Sequence, residues 1–211
     1  MIRKEEKKDY FEVEALIKRA FWNVNVPGCD EHYVAHLIRK HPDFIPELSL
    51  VLEENQSIIA AVMYTRSYLV DEKGDKKEIL TFGPLAVDPA YQRRGYGKAL
   101  LEHSFVLAKQ MGYDTIVIFG HPGNYVSRGF KSCKKYNICL EDSVFPTAML
   151  VKELKPGCLT GELQYYRESE AYQIDMSGFE DFDRCFEQYV PEVKPCQEEF
   201  YIYSHSCIRN E

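Results

Sequence analysis

The sequence predicts an α/β (α+β) fold. Three observations carry this. Helical periodicity dominates the first forty residues, β-rich apolar runs follow from about residue 47, and a glycine-bearing strand-to-helix junction lies in "AVDPAYQRRGYGKALLEHSF" from Ala86 to Phe105. At 211 residues the chain fits one domain, or one domain with a sizeable extension.

The elements can be justified in order. Val13, Leu16, Ile17, Ala20 and Phe21 share one face of a helix over 9–21, with Asp9 and Glu12 at capping-box spacing. Pro27 and Gly28 break it, and a shorter helix over 30–40 follows, ended by His41-Pro42. "ELSLVLEE" and "SIIAAVMYTRSYLV" read as strands joined at an Asn55-Gln56 turn. "DEKGDKK" is a polar turn, and "EILTFGPLAV" over 78–87 is a third strand, in which Gly83-Pro84 demands a bulge or splay. A helix over 96–111 carries Leu101, Phe105 and Ala108 inward and stops at Gly112. "YDTIVIFG" is a short apolar strand of the buried type. "HPGNYVSRGF" reads as a short helix or turn, and "YNICLE" and "AMLVKEL" as further strands.

Residues 1–154 read as the main domain and 155–211 as an extension packed on it, since so short a piece can hardly bury its own core. In the extension, "GELQYYRESEAY" suggests an added strand. Ser177 and Glu180 suggest a cap for a helix through Val190, and "EEFYIYSHSCI" suggests an edge strand.

Composition excludes several classes. The net charge of −7 and the short basic clusters argue against a nucleic-acid partner. No apolar run reaches the ~20 residues of a membrane span. The charged N-terminal run lacks the apolar core of a signal peptide, so a cytoplasmic location is expected. Seven cysteines form no CxxC and no zinc spacing, so free thiols and no metal are expected.

The junction loop is built for a phosphate. It is not a Walker loop, because Ala99 follows Gly97-Lys98 and supplies no hydroxyl for magnesium. It is not the dinucleotide fingerprint either, because Leu100 stands where a third glycine belongs. What remains is Gln92, Gly95 and Gly97 entering a helix, with Arg93 and Arg94 adding charge. Unpaired amides at a helix start and the helix dipole both favour an anion there.

"PLAVDPAYQRRGYGKALL" resembles the acyl-CoA loop of the GNAT N-acetyltransferase superfamily, Pro89 and Gln92 included. Tyr125, Gly129 and Phe130 in "NYVSRGF" match a second motif of that family. The resemblance covers residues 1–154. It implies a mixed central sheet whose parallel strands 78–87 and 114–119 splay apart, flanked by helices. Acetyl-CoA would lie in the opening, its pantetheine arm on the main chain of Leu85, Ala86 and Val87. The pyrophosphate would lie on Gln92, Arg93, Arg94, Gly95, Tyr96, Gly97 and Lys98. Tyr125 would be the general acid for the leaving thiolate. Some relatives carry a glutamate on the preceding strand, and here that position is Thr81. Glu78 falls on the opposite strand face, His121 lies close to Tyr125 in sequence, and no base is assigned. The implied reaction is transfer of acetyl to a primary amine of a small molecule or peptide. Two rivals stand beside it: a non-catalytic acyl-CoA-binding module, and an interaction protein forming a homodimer through the aromatic extension.

Overall fold

The structure is a computed structural model, and it describes residues 1–209. The chain opens with β1 (Ile2–Lys4), α1 (Tyr10–Phe21) and α2 (Glu31–Ile38). Then come β2 (Leu50–Glu54), β3 (Ser57–Asp71), β4 (Lys76–Val87) and α3 (Tyr96–Gln110). β5 (Thr115–Phe119) leads through a single turn, α4 (Pro122–Tyr125), to β6 (Lys131–Ser132) and β7 (Ile138–Cys139). β8 (Phe145–Pro146), β9 (Met149–Glu153) and β10 (Gln164–Arg167) follow. Last are α5 (Phe179–Asp183), α6 (Pro195–His205) and β11 (Cys207–Ile208).

The main sheet runs β1-β2-β3-β4-β5-β9-β6, with β10 pairing both β3 and β7. β3 is long enough to hold three neighbours. β4 lies along one edge, while β2 and β10 share the other, β2 on residues 57–62 and β10 on 68–71. The β2–β3 hairpin turns through Asn55 and Gln56, both at positive φ (50° and 66°), the conformation a tight two-residue hairpin needs.

Both faces of the central strands are covered, which is why β3 reads as an unbroken apolar run rather than an alternating one. Val62, Tyr64, Leu80 and Phe82 pack with Leu101 and Phe105 of α3. Ala61, Met63 and Ala86 pack with Val13, Leu16 and Ile17 of α1 and Ile38 of α2. The buried hydroxyl of Tyr64 lies 2.7 Å from Ser104 Oγ, so the polar atom entering the α3 interface finds a partner.

The extension is woven into this core. β10 brings Tyr166 under the sheet, and α5 docks on α1 and α2. The docking centres on charge. Lys18 Nζ, on a side chain 1 % exposed, lies 2.6 Å from Asp183 Oδ1, and His32 Nε2 reaches the same oxygen at 2.8 Å. Phe179, Phe182 and Phe186 close around the His32 ring. Burial opposes ionisation of Asp183, but Lys18 and His32 prevail and hold its carboxyl below the usual range.

Burial also pushes the His32 imidazole down, with Asp183 opposing, Lys18 reinforcing and Asp30 opposing. An unfolded histidine titrates near ~6.5. The buried ring therefore contributes stability that is complete above that value and is lost as pH falls toward its lowered folded value. Urea midpoints should fall between pH 7.5 and pH 5.5, with this residue adding a slope of at most about 1.4 kcal/mol per pH unit. His32→Gln should flatten that dependence. An unchanged slope in the variant would remove His32 as its source.

Four expectations need correction. Asp9 does not cap α1. Its carboxylate is taken by Arg3 at 2.6 Å, and the capping box lies one turn earlier, between Glu6 and Asp9. Glu12 instead accepts from the Ile58 amide at 2.9 Å. The helix after Gly178 stops at Asp183 rather than Val190, because Gln188 Nε2 donates to the carbonyls of Asp183 and Phe186 and ends it. Ser177 does not cap that helix, and its own amide donates to Asp175. The supposed edge strand near 198–208 is mostly helix α6. Alternating aromatics suggested a strand, but Cys196, Glu199, Phe200, Tyr203 and Ser204 are spaced as one helical face, and that face lines a cavity.

Candidate functional site

The loop after β4 is fastened before it is shaped. Asp88 accepts from the Ala90 amide at 3.0 Å and pairs with Arg19 of α1 at 3.0 Å. Gln92 Nε2 donates to the Val87 carbonyl at 3.1 Å, which folds the loop back on the strand end. Arg93 (φ 64°) and Gly95 (φ 89°) are both left-handed, the alternating turn that can form an anion-binding concavity, and Gly95 leads directly into α3. Gly95 is the N-cap of that helix, a position where a side chain would be strained. A Cβ on Gly97 would sit 3.2 Å from Val87 Cγ2, so this glycine sets how closely the helix start approaches the strand.

The side chains of the loop point to different tasks. The Tyr96 hydroxyl donates to Glu54 at 2.7 Å and so ties the loop to the β2–β3 hairpin. Arg94 stacks over Tyr91, 5.6 Å from the ring centre. Lys98 Nζ lies 3.7 Å from Glu102 on the same helix. The start of α3 thus presents chiefly main chain, with Arg93 as the loop arginine that lines the cavity beside it.

That cavity, of about 870 Å³, opens where the sheet divides. β4 and β5 run parallel, yet they pair at one register position, Leu80 with Ile116. Beyond it β5 follows β9 and β4 stays with β3, so the two strands part. Gly83 and Pro84 stand two against one opposite Met63, in a register shift between Val62 and Tyr64. Leu85, Gln92, Arg93 and Tyr125 line the cavity, whereas Ala86 is buried toward α1 and α2. Val87 and Tyr96 pack against the α3 core, and Arg94, Gly95, Gly97 and Lys98 lie outside the lining.

Tyr125 stands across the opening. Its ring meets Phe82 and Phe130 at 5.8 and 5.7 Å. Burial pushes its phenol up to about 12, with Arg128 opposing, so it keeps its proton through the neutral range. A Cβ on Gly120 would fall 2.5 Å from Tyr125 Cε2, so only glycine lets the ring lie there. His121 accepts from the Gly123 amide through Nδ1 at 3.1 Å, and its ring meets Tyr203 of α6 edge-on at 4.9 Å. Thr81 is occupied elsewhere, its hydroxyl 2.7 Å from that of Tyr166.

The sequence profile described as the Acetyltransferase (GNAT) family matches residues 13–131, more than half of the chain, from α1 through the loop to the segment after Tyr125. The chain belongs to the GNAT acetyltransferase family. An uncharacterized N-acetyltransferase of Escherichia coli K12, YjhQ, is 31% identical over 88 residues, 42% of this chain and 48% of that protein. The aligned stretch thus spans about half the length of that curated relative. Among solved structures, the GNAT protein YhbS of Escherichia coli in complex with CoA superposes with a TM-score of 0.70 at 23% identity. It covers 82% of this chain and 92% of that one. A GNAT acetyltransferase of Brucella melitensis in complex with acetyl-CoA gives 0.63 at 22% identity, covering 82% and 97%. These likenesses are of fold.

In this GNAT protein the far wall of the cavity comes from parts that sequence reasoning left unassigned. One is the α6 face. The other is Glu31 at the first position of α2, whose carboxyl burial lifts to about 7. Asp30-Glu31 at a helix start carries no distinguishing signal, because acidic residues there ordinarily complement the dipole. Among the tyrosines of the extension, Tyr172 and Tyr203 line the cavity, while Tyr166 is buried in a third core cluster. Among the described residues no cluster could hold a metal ion, and no helix is long and apolar enough to cross a membrane.

Proposed function

We propose that this protein transfers an acetyl group from acetyl-CoA to a primary amine by direct attack, with Tyr125 as general acid. One observation carries the reading. The glycine-bearing start of α3, reached through Gln92 and Arg93, and the protonated phenol of Tyr125 border one cavity at the point where β4 leaves β5.

Each part has a task. The amides from Arg93 to Lys98 hold the pyrophosphate, reinforced by the dipole of α3. The main chain of Leu85 and Val87, unpaired toward β5, binds the pantetheine amides as a neighbouring strand would. That alignment delivers the thioester beside Phe82 and Tyr125. The amine attacks the carbonyl, and the Tyr125 hydroxyl protonates the departing thiolate.

Calorimetric titration with acetyl-CoA and with free CoA tests the cradle. Both should bind. Gly95→Val combined with Gly97→Val should weaken both by at least about 100-fold, through strain at φ 89° and a steric push on Val87. No binding to the wild-type protein at millimolar ligand would overturn the reading. The engaged hydroxyl of Thr81 leaves no carboxylate on β4 at that place, which favours a second reading, a non-catalytic acyl-CoA binder. That reading requires acetyl-CoA binding without turnover on any amine.

A further inference from the structure

Glu31 is unusual among the cavity residues. Its Oε1 accepts from Asn25 Nδ2 at 2.9 Å. Its Oε2 is buried and has no hydrogen-bond partner among the described residues. A buried carboxylate oxygen without a donor is costly, so one at a cavity wall marks a place for a donor from outside. The surroundings say which donor. Phe21, Val24 and Val34 give the same cavity an apolar lining, Phe200 adds an aromatic ring from α6, and Glu199 supplies a second carboxylate. The cation lining the cavity is Arg93, which belongs to the phosphate loop. A phosphate or a carboxylate would be repelled by these acids, and a neutral hydroxyl could donate to them without balancing their charge, whereas an ammonium does both.

We infer that Glu31 is the acceptor carboxylate, pairing with the ammonium of a small primary amine that carries an apolar or aromatic body, and accepting its proton before attack. The inference rests on the acetyltransferase reading above. The ammonium proton passes to Glu31 Oε2 and leaves a neutral amine. The nitrogen lone pair forms the bond to the thioester carbonyl carbon. The carbon–sulfur bond breaks with its electron pair going to sulfur, which takes the Tyr125 proton. The second amine proton returns to the Tyr125 oxygen, and Glu31 releases its own to water. A carboxyl lifted to about 7 is matched to this exchange near neutrality.

Asp30 and the Cys29 thiol interact with it electrostatically, and Arg93, His121, Tyr125, Tyr172, Cys196, Glu199 and Tyr203 share the cavity lining with it.

The test is an NMR titration of the CoA-saturated protein labelled with 13C at glutamate carboxyls, with Glu31 assigned by its absence in Glu31→Gln. The probes are phenethylamine and, as its neutral counterpart, phenethyl alcohol. The Glu31 midpoint should lie near 7. It should drop by about one pH unit in phenethylamine and stay fixed in phenethyl alcohol. Glu31→Gln should weaken phenethylamine binding at least tenfold and leave acetyl-CoA affinity unchanged. A midpoint in the ordinary range, about 4.3, or no response to the amine, overturns the assignment. Failure of the acetyltransferase reading itself shows separately, as absence of acetyl-CoA binding.

Discussion

Tyr125→Phe should slow acetyl transfer by about 100-fold or more while acetyl-CoA affinity stays within a few-fold of wild type. The substitution removes one oxygen and keeps the ring against Phe82 and Phe130, so the cavity wall survives. On the proposed mechanism, what is lost is the proton for the leaving thiolate. Because burial holds the phenol at about 12, it is protonated at every ordinary assay pH, and the loss should be nearly constant from pH 6 to 9. Gly120→Ala offers a second route to the same defect with the hydroxyl kept. Its Cβ would fall 2.5 Å from Tyr125 Cε2, so the ring must move. A displacement of about 1 Å at a catalytic group can cost about 100-fold. Steady-state turnover beside calorimetric affinity separates these effects from lost binding. Full turnover in Tyr125→Phe removes it from the chemistry.

The largest effect on stability should come from Arg39→Leu. Arg39, its side chain 4 % exposed, reaches Glu5 at 2.6 Å through Nη2, donates through Nη1 to Glu14, and lies 4.2 Å over the Tyr10 ring. Ser49 Oγ completes Glu5 at 2.7 Å, and His36 Nδ1 lies 3.1 Å from Glu14. One guanidinium thereby joins the end of α2 to α1 and to the segment after β1. Its removal strands two buried carboxylates, which costs about 3–5 kcal/mol. Against a total stability of roughly 5–15 kcal/mol this is a large fraction. At about 2–4 °C per kcal/mol for a chain of this size, the melting midpoint should fall by roughly 6–20 °C. Urea unfolding would read it directly, and a variant that unfolds at the wild-type midpoint would show the network to be dispensable.

How much of this could be read from the chain depends on distance along it. The loop before α3 is local: Gln92, Gly95 and Gly97 must lie near one another wherever the fold puts them, and their types state the backbone they need. The hairpin at Asn55-Gln56 and the bulge at Gly83-Pro84 are equally local. The cavity wall from α2 and α6 is not. Glu31 and Glu199 are brought to one cavity only by the packing of α2 and α6, and neither has a neighbour in sequence that hints at it. α6 misleads for a related reason. In "EEFYIYSH" aromatic and β-branched residues favour a strand, yet Pro195 at the helix start and the cavity face at 196, 199, 200 and 203 decide otherwise. Asp9 fits a local motif but is taken by Arg3, which is taken in turn by Glu53 from the far side of the first hairpin.

The parting of β4 from β5 also has a colloidal side. Strand edges are normally confined to the rim of a sheet, where charge or bulges guard them against pairing with another chain. Here an edge lies in the interior, along β4 beyond Leu80, between strands that are otherwise fully laddered. It is guarded by depth, with α6 and the α4 turn standing on either side of the opening. Any ligand whose amides match that edge serves as a removable strand. Its arrival should slow hydrogen exchange at 85–87 more than anywhere else in the sheet.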